Sequence, residues 1–279
     1  MKAAPFDYVL ADSVEHAVGQ LAAAEGEGKI IAGGQSLVPV LALRLARPGI
    51  LVDINRIPGL ASMSRTPSGE LRIGALTRHR SLAGQRAHPL LAEAARWIGH
   101  AAIRTRGTLG GSLAHADPAA ELPLVAAATG AVALVAGPRG QRRIAAGDLF
   151  AGALQTSLAD DELIEAVDFP PPTRWGFAEF ARRHGDFGLV TVVAAEVGGR
   201  LQLAIGGVAG TPLRPAAAEE ILAAGPLSAS RIAEAAAAAA GEIEAADDIH
   251  ATARYRRHLA GVLVTRALSQ VAGGQREAA

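Results

Sequence analysis

A chain of 279 residues is longer than one hydrophobic core ordinarily organises, so two domains of roughly 100 to 200 residues are expected. Lysine plus arginine equals aspartate plus glutamate at 27 each, which excludes a net field drawing the chain onto nucleic acid or an anionic membrane surface. Cysteine is absent, which excludes disulfides, thiolate zinc sites, a cysteinyl flavin bond and any cluster held by this chain's own thiolates.

In chain order, Met1 to Val9 carries no basic segment followed by an apolar run. No apolar stretch approaches the roughly 18 residues of a membrane span, so a cytoplasmic protein without a span is expected. Val14, Ala17, Val18, Leu21 and Ala22 then repeat at helical spacing behind the candidate cap Ser13, and the pattern closes near Gly26 and Gly28. Ile30 and Ile31 predict a strand running into a glycine turn. A helix over Leu37 to Leu45 follows, with Pro39 in its first turn, and then a strand over Ile50 to Ile54. From Arg56 onward, strands at Leu71 to Ile73, Ala131 to Val135 and Leu163 to Phe169 alternate with helices around Leu90 to Ile98 and Leu124 to Ala128, a second α/β unit.

Pro170, Pro171 and Pro172 remove three backbone donors in succession and mark a domain break. Beyond it, Leu189 to Val197 and Leu201 to Ile205 flank Gly198 and Gly199, the signature of a tight hairpin. Alanine-rich helices over Ala216 to Ala224, Ser230 to Ile243 and Thr252 to Val271 complete the chain before a frayed tail at Gly273 to Ala279. The domains read as 1–173, with subdomains of about 1–55 and 56–173, and 174–279. Aromatics are only 4% of the chain, so the cores must be built from small, closely packed side chains.

Two loops combine residue types suited to a nucleotide. In I-I-A-G-G-Q-S-L, from Ile30 to Leu37, paired glycines at a strand end lead into a helix and expose backbone amides, which bind phosphate oxygens; a tight turn without a ligand reads the same way. In R-T-R-G-T-L-G-G-S-L-A-H-A-D-P-A-A-E-L-P, from Arg104 to Pro123, Gly110 and Gly111 offer amides, and Thr108 and Ser112 offer hydroxyls. Asp117 or Glu121 offers an acceptor for ribose or ribityl hydroxyls, although aspartate before proline is equally a turn starter. Arg104 and Arg106 are candidate counter-charges for a pyrophosphate. His115 has no second histidine at ligand spacing, so no metal site is expected and it reads as a hydrogen-bonding or packing residue, with a covalent cofactor link as the remoter alternative.

No G-x-G-x-x-G fingerprint, P-loop, G-x-S-x-G elbow or H-E-x-x-H helix is present, which disfavours Rossmann, Walker and hydrolase readings and leaves no candidate catalytic side chain.

Taken together, A-G-G-Q-S-L-V-P at Ala32 to Pro39 and G-T-L-G-G-S-L-A-H-A-D-P-A-A-E-L-P at Gly107 to Pro123 resemble the FAD-binding medium subunits of the xanthine dehydrogenase and carbon monoxide dehydrogenase family. The resemblance runs on through R-L-A-R-P-G-I-L-V-D-I (44–54), L-F-A-G-A-L-Q-T-S-L (149–158), R-R-H-G-D-F (182–187), G-G-V (206–208) and Y-R-R-H-L-A (255–260). It implies an α+β fold: a two-subdomain FAD-binding (PCMH-type) domain, then a smaller domain with a three-stranded antiparallel sheet and a helical bundle. It also implies that Ala32, Gly33, Gly34, Gln35, Ser36 and Leu37, with Thr108, Gly110, Gly111 and Ser112, hold FAD. His115, Asp117, Glu121 and Leu158 are implied beside it, and Phe187 near the flavin ring or in the core. The partners implied are a small subunit with two [2Fe–2S] clusters and a large molybdopterin subunit, in a dimer of heterotrimers, with an external electron acceptor. The absence of cysteine argues against the 4-hydroxybenzoyl-CoA reductase type, whose comparable subunit carries a cluster of its own. Two alternatives stay open: a self-sufficient FAD oxidoreductase on the same fold, and a nucleotide-binding regulatory module without flavin.

Overall fold

The computed structural model describes residues 2–274, so positions 275–279 of the expected frayed tail lie outside the described residues. Among the described residues three sheets of three or more strands succeed one another along the chain, with a two-stranded ribbon of Phe150–Gly152 and Gln155–Thr156 besides. The first is parallel, with Ile50–Asp53 between Asp7–Leu10 and Gly28–Ile31. Helix Val14–Ala23 makes the first crossover. Ser13 caps it by accepting from the His16 amide at 3.0 Å, and Ala17, Val18 and Leu21 are its buried residues. The helix after the glycine turn is shorter than its apolar run suggests. It spans Leu37–Ala42, because Leu43 caps it and Arg44 adopts φ +57°, a left-handed turn that α-helix cannot continue.

The second sheet is antiparallel, in the order Met63–Arg65, Leu71–Gly74, Leu163–Phe169, Val132–Gly137, Gly140–Ala145. Its three inner strands are the apolar runs expected; its two edges are mostly exposed and polar, which hides them from a hydrophobic pattern. Helices Pro89–Trp97 and Glu121–Thr129 complete this unit, and Leu90, Leu91, Leu122 and Leu124 share a core with Ile73, Val135 and Phe169.

The third sheet runs Arg174–Phe180, Val190–Val197, Arg200–Gly206, antiparallel throughout. Gly198 (φ +57°) and Gly199 (φ +76°) form the hairpin turn, both in the conformation that favours glycine. The sheet is buried on both faces. Trp175, Phe177, Val193, Ala195 and Ala204 join the core of the second unit, whereas Ala178, Val192, Ala194, Leu203 and Ile205 pack on helices Ala229–Gly241 and Ala253–Ala272 through Ile232, Ala235, Leu259 and Leu263. That double burial explains why Val190–Val197 reads as a continuous apolar run rather than an alternating one. The fold is therefore α+β. Among the described residues no helix is long and apolar enough to cross a membrane.

Candidate functional site

One cleft of about 490 Å³ is lined by Ala32 through Leu37 on one wall and by Thr108, Gly110, Gly111, Ser112 and His115 on another. Asp117, Glu121, Leu158 and Phe187 line it as well. The volume lies within the range of small-molecule and cofactor sites, roughly 300–1,000 Å³.

The first loop leaves strand Gly28–Ile31 and is tied down from behind. Asn55 Nδ2 donates to the Ala32 carbonyl at 2.8 Å, Asn55 Oδ1 accepts from Arg78 Nη2 at 2.7 Å, and Arg78 Nη1 donates to the Arg106 carbonyl. The two loops thus share one hydrogen-bond chain. Gly33 lies directly on the second loop, since a Cβ there would come within 2.2 Å of the Arg106 oxygen. Gly34 takes φ +72° and turns the chain into the short helix. The Gly34 and Ser36 carbonyls accept from the Val38 and Val40 amides, whereas the amides of Gly34, Gln35, Ser36 and Leu37 donate to no acceptor among the described residues. Four unengaged donors in succession, ahead of a helix start, are the kind of arrangement that can accept an anion.

The second loop works differently. The Gly110 amide donates to the Ala75 carbonyl at 2.8 Å and the Gly111 amide to Thr108 Oγ1 at 3.2 Å, so neither is the open amide that the glycine pair suggests from sequence. Gly110 instead serves close packing: a Cβ there would lie 2.5 Å from Ala75 Cβ. Gly111 is helical, with no positive φ. What this loop offers is hydroxyls. Thr108 caps helix Leu109–His115 with its oxygen lone pair, which leaves its O–H to donate.

Buried His79 sits beneath, with Nε2 2.9 Å from the Thr108 carbonyl and 3.1 Å from Ser112 Oγ. A carbonyl only accepts, so Nε2 carries the proton, and the Ser112 O–H is free to point elsewhere. Burial pushes the imidazole down to about 4, with Arg104 and Arg78 acting in the same direction, so it is neutral at pH 7. Its Nδ1 is buried without a partner, in space that Gly107 leaves open.

The acidic end adjoins the third sheet, where helix Glu121–Thr129 packs on Val190–Val197 and Arg200–Gly206. Asp117 Oδ1 accepts from the Ala119 amide at 2.9 Å, so Asp117 does start a turn while lining the cleft. Glu121 opens helix Glu121–Thr129 and is 5% exposed; burial pushes its carboxyl up to about 8, with Glu179 and Asp117 adding like charge. Glu179, on strand Arg174–Phe180, is pushed up to about 7 by its own burial and accepts from Thr191 Oγ1 at 3.2 Å. Phe187 is 66% exposed, so it lines the cleft from its mouth and is not a core residue. Arg104 is turned away: its Nη1 donates to the Ile98 and Gly99 carbonyls, and neither it nor Arg106 lines the cleft through its side chain. Among the described residues no group of three or more histidine or acidic side chains converges as a metal site.

Asn55, Arg78 and His79 are the residues that the sequence does not reveal. Their partners lie 23 to 33 positions away in the chain, and no spacing marks them.

Comparison with known proteins agrees with this geometry. The FAD binding domain in molybdopterin dehydrogenase matches residues 4–172, and the CO dehydrogenase flavoprotein C-terminal domain matches residues 175–271. The chain is 44% identical to the 6-hydroxypseudooxynicotine dehydrogenase complex subunit alpha of Paenarthrobacter nicotinovorans, over 97% of this chain and 95% of that one. It is 42% identical to the nicotine 6-hydroxylase medium subunit of the same organism, over 96% and 98%. Among solved structures, a chain of carbon monoxide dehydrogenase from Hydrogenophaga pseudoflava superposes with a TM-score of 0.92 at 35% identity, covering 98% of this chain and 99% of that one.

Proposed function

We propose, from the premise that this chain belongs to the family of FAD-binding medium subunits of molybdenum hydroxylases, that it is the electron outlet of such a complex. It is an oxidoreductase subunit with FAD as its own cofactor; the family's iron–sulfur clusters and molybdopterin belong to partner subunits. In our reading, electrons arrive from [2Fe–2S] clusters on a small subunit and leave to an external acceptor. The large molybdopterin subunit performs the hydroxylation, and the assembly is a cytoplasmic dimer of heterotrimers. The FAD-binding domain spans 1–173, as subdomains of about 1–55 and 56–173, and the C-terminal domain spans 174–279.

The observation that carries this reading is the pairing, across one cleft, of four unengaged amides at Gly34 to Leu37 with the hydroxyls of Thr108 and Ser112. Amides in that arrangement hold pyrophosphate oxygens without a cation, and hydroxyls whose lone pairs are already used donate from the opposite side. Ala32, Gly33 and Gln35 shape the first wall, and Gly110 and Gly111 let the second approach. Asp117 and Glu121 accept from ribose or ribityl hydroxyls, and Glu121, protonated at neutral pH, also donates. His115 hydrogen-bonds beside the cofactor, while Leu158 and Phe187 supply apolar cover that excludes water. When bound, FAD supplies the conversion between carriers that give one electron and acceptors that take two. Two glycine loops and the absence of cysteine for a thioether link support a flavin held noncovalently: acid precipitation should release it, and a stoichiometric protein-attached flavin after that treatment would overturn this.

Reconstitution tests the role. The chain is combined with small iron–sulfur and large molybdopterin subunits, a heteroaromatic or aldehyde substrate is added, and flavin bleaching is followed by stopped-flow absorbance. Bleaching that requires all three chains is the expected result. Turnover by this chain alone at the rate of the complex would overturn the outlet role in favour of a self-sufficient flavin oxidoreductase.

A further inference from the structure

The stretch Tyr255 to Ala260 lies on helix Ala253–Ala272, outside the cleft, and the reading above gives it no part. Arg256 is nevertheless 7% exposed, and a buried guanidinium is costly unless its donors are satisfied. Here Nη1 donates to the carbonyls of Leu189 and Gly207, the latter at 2.8 Å, and Nη2 donates to Asp248 Oδ2 at 2.6 Å. Neither carbonyl lines the cleft, but each belongs to a residue joined to a segment that does.

Gly207 follows the last strand of the third sheet with φ +77°, and a Cβ there would fall 2.5 Å from the Leu189 oxygen. Its own amide donates to the Pro118 carbonyl at 2.9 Å, inside the turn from Asp117 to Glu121. Leu189 lies two residues beyond Phe187, and its amide donates to the Phe180 carbonyl at 2.8 Å, closing the base of the loop 181–188. The neighbouring Tyr255 ring meets Phe180 edge-on, with centroids 6.4 Å apart. Two consecutive residues of one helix therefore grip both the acidic turn and the Phe187 loop.

We infer that Arg256 is a positioning residue for the cofactor cleft: through Gly207 and Leu189 its planar fork holds the Asp117–Glu121 turn and the Phe187 wall at a fixed separation. Arginine suits the task because one rigid group donates to two carbonyls and an opposing carboxylate at once, which a lysine ammonium on a flexible stem reproduces only in part. The cofactor consequence rests on the FAD reading above; the mechanical link does not.

The test uses the full chain in three variants beside the unaltered protein, with amide hydrogen exchange, FAD titration and thermal melts. Arg256→Met removes the donors, Arg256→Lys keeps the charge without the fork, and Leu263→Ala destabilises the same helix from the core, where Leu263 is 1% exposed. Arg256→Met should raise exchange at Gly207 and across 117–121 and 181–189, and weaken FAD binding about tenfold, the equivalent of one such hydrogen bond. Arg256→Lys should show the same pattern at smaller amplitude, and it carries the test if the methionine variant does not fold. Leu263→Ala should lower the melting temperature while leaving cleft exchange and FAD affinity as they were. Cleft exchange unchanged in both Arg256 variants, or changed equally by Leu263→Ala, overturns the inference. A failure of the unaltered chain to bind FAD would overturn the cofactor reading, and the exchange data would still decide the link.

Discussion

The cleft loops and the C-terminal unit use glycine under the same constraint for opposite ends. At Gly33 a Cβ would meet the Arg106 carbonyl at 2.2 Å, and at Gly176 it would meet the Ala267 carbonyl at 2.0 Å; in both places two backbones touch. In the C-terminal unit the contact closes an apolar core, strand against helix, with alanines filling the space around it. At the cleft the contact brings together two loops whose nearby donors, the amides of Gly34 to Leu37 and the hydroxyls of Thr108 and Ser112, are not engaged by a protein acceptor among the described residues. The lesson is that a tight glycine contact says nothing about function by itself. Whether the donors beside it are already engaged is what separates a packing glycine from a binding one.

Three experiments break or sharpen that contrast. The largest effect is expected at Gly176→Val, where a branched side chain is driven into the backbone of helix Ala253–Ala272. Overpacking against backbone that cannot yield should cost about 3 kcal/mol or more. Chemical denaturation of the apo chain reads it, and a midpoint equal to that of the unaltered protein would erase the distinction.

Next is Gly111→Val. Its φ is negative and only Thr108 Oγ1 lies close to the added Cβ, at 2.8 Å, so the fold should tolerate the change far better than at Gly176. Because the new side chain sits on the cleft wall, FAD affinity should still fall about tenfold or more, the equivalent of ~1.4 kcal/mol. Flavin titration beside an apo melt separates the two quantities; an unchanged affinity would remove this loop from the cradle.

The third effect is a pH slope. Burial raises Glu121 from an ordinary 4.5 to about 8, so between those values the folded chain holds a proton that the unfolded chain has released. Stability must then fall as pH rises through that window. Glu121→Gln removes this term and leaves that of Glu179, which has the same sign, so the variant should lose less stability than the unaltered chain when urea melts at about pH 5 and about pH 8.5 are compared. Identical slopes would show that Glu121 is not the group that titrates.

Reading the sequence succeeded where the signal is local. The helix Val14–Ala23, the inner strand Leu163–Phe169 and the Gly198–Gly199 hairpin each follow from periodicity or from a φ that neighbours impose. Strands Asp7–Leu10, Met63–Arg65 and Gly140–Ala145 escaped because edge strands are held by backbone pairing and carry little buried apolar surface. Arg174–Phe180 escaped because the proline run, Gly176 and Glu179 mask a strand that both flanking cores bury.

The same division runs through the site. That the two glycine loops line one cleft was legible in the sequence, since the pairing of small, hydroxyl and acidic residues is contiguous there, whereas Arg104 and Arg106 of the same stretch do not line it. Tertiary structure alone decided which amides remain open and which are already bonded, that His79 underpins Thr108 and Ser112, and that Asn55 and Arg78 join one loop to the other. Periodicity and turn chemistry act between residues a few positions apart, so they are written along the chain. A hydrogen bond such as that from Arg256 to Leu189, 67 positions away, exists only once the fold has brought its two ends together.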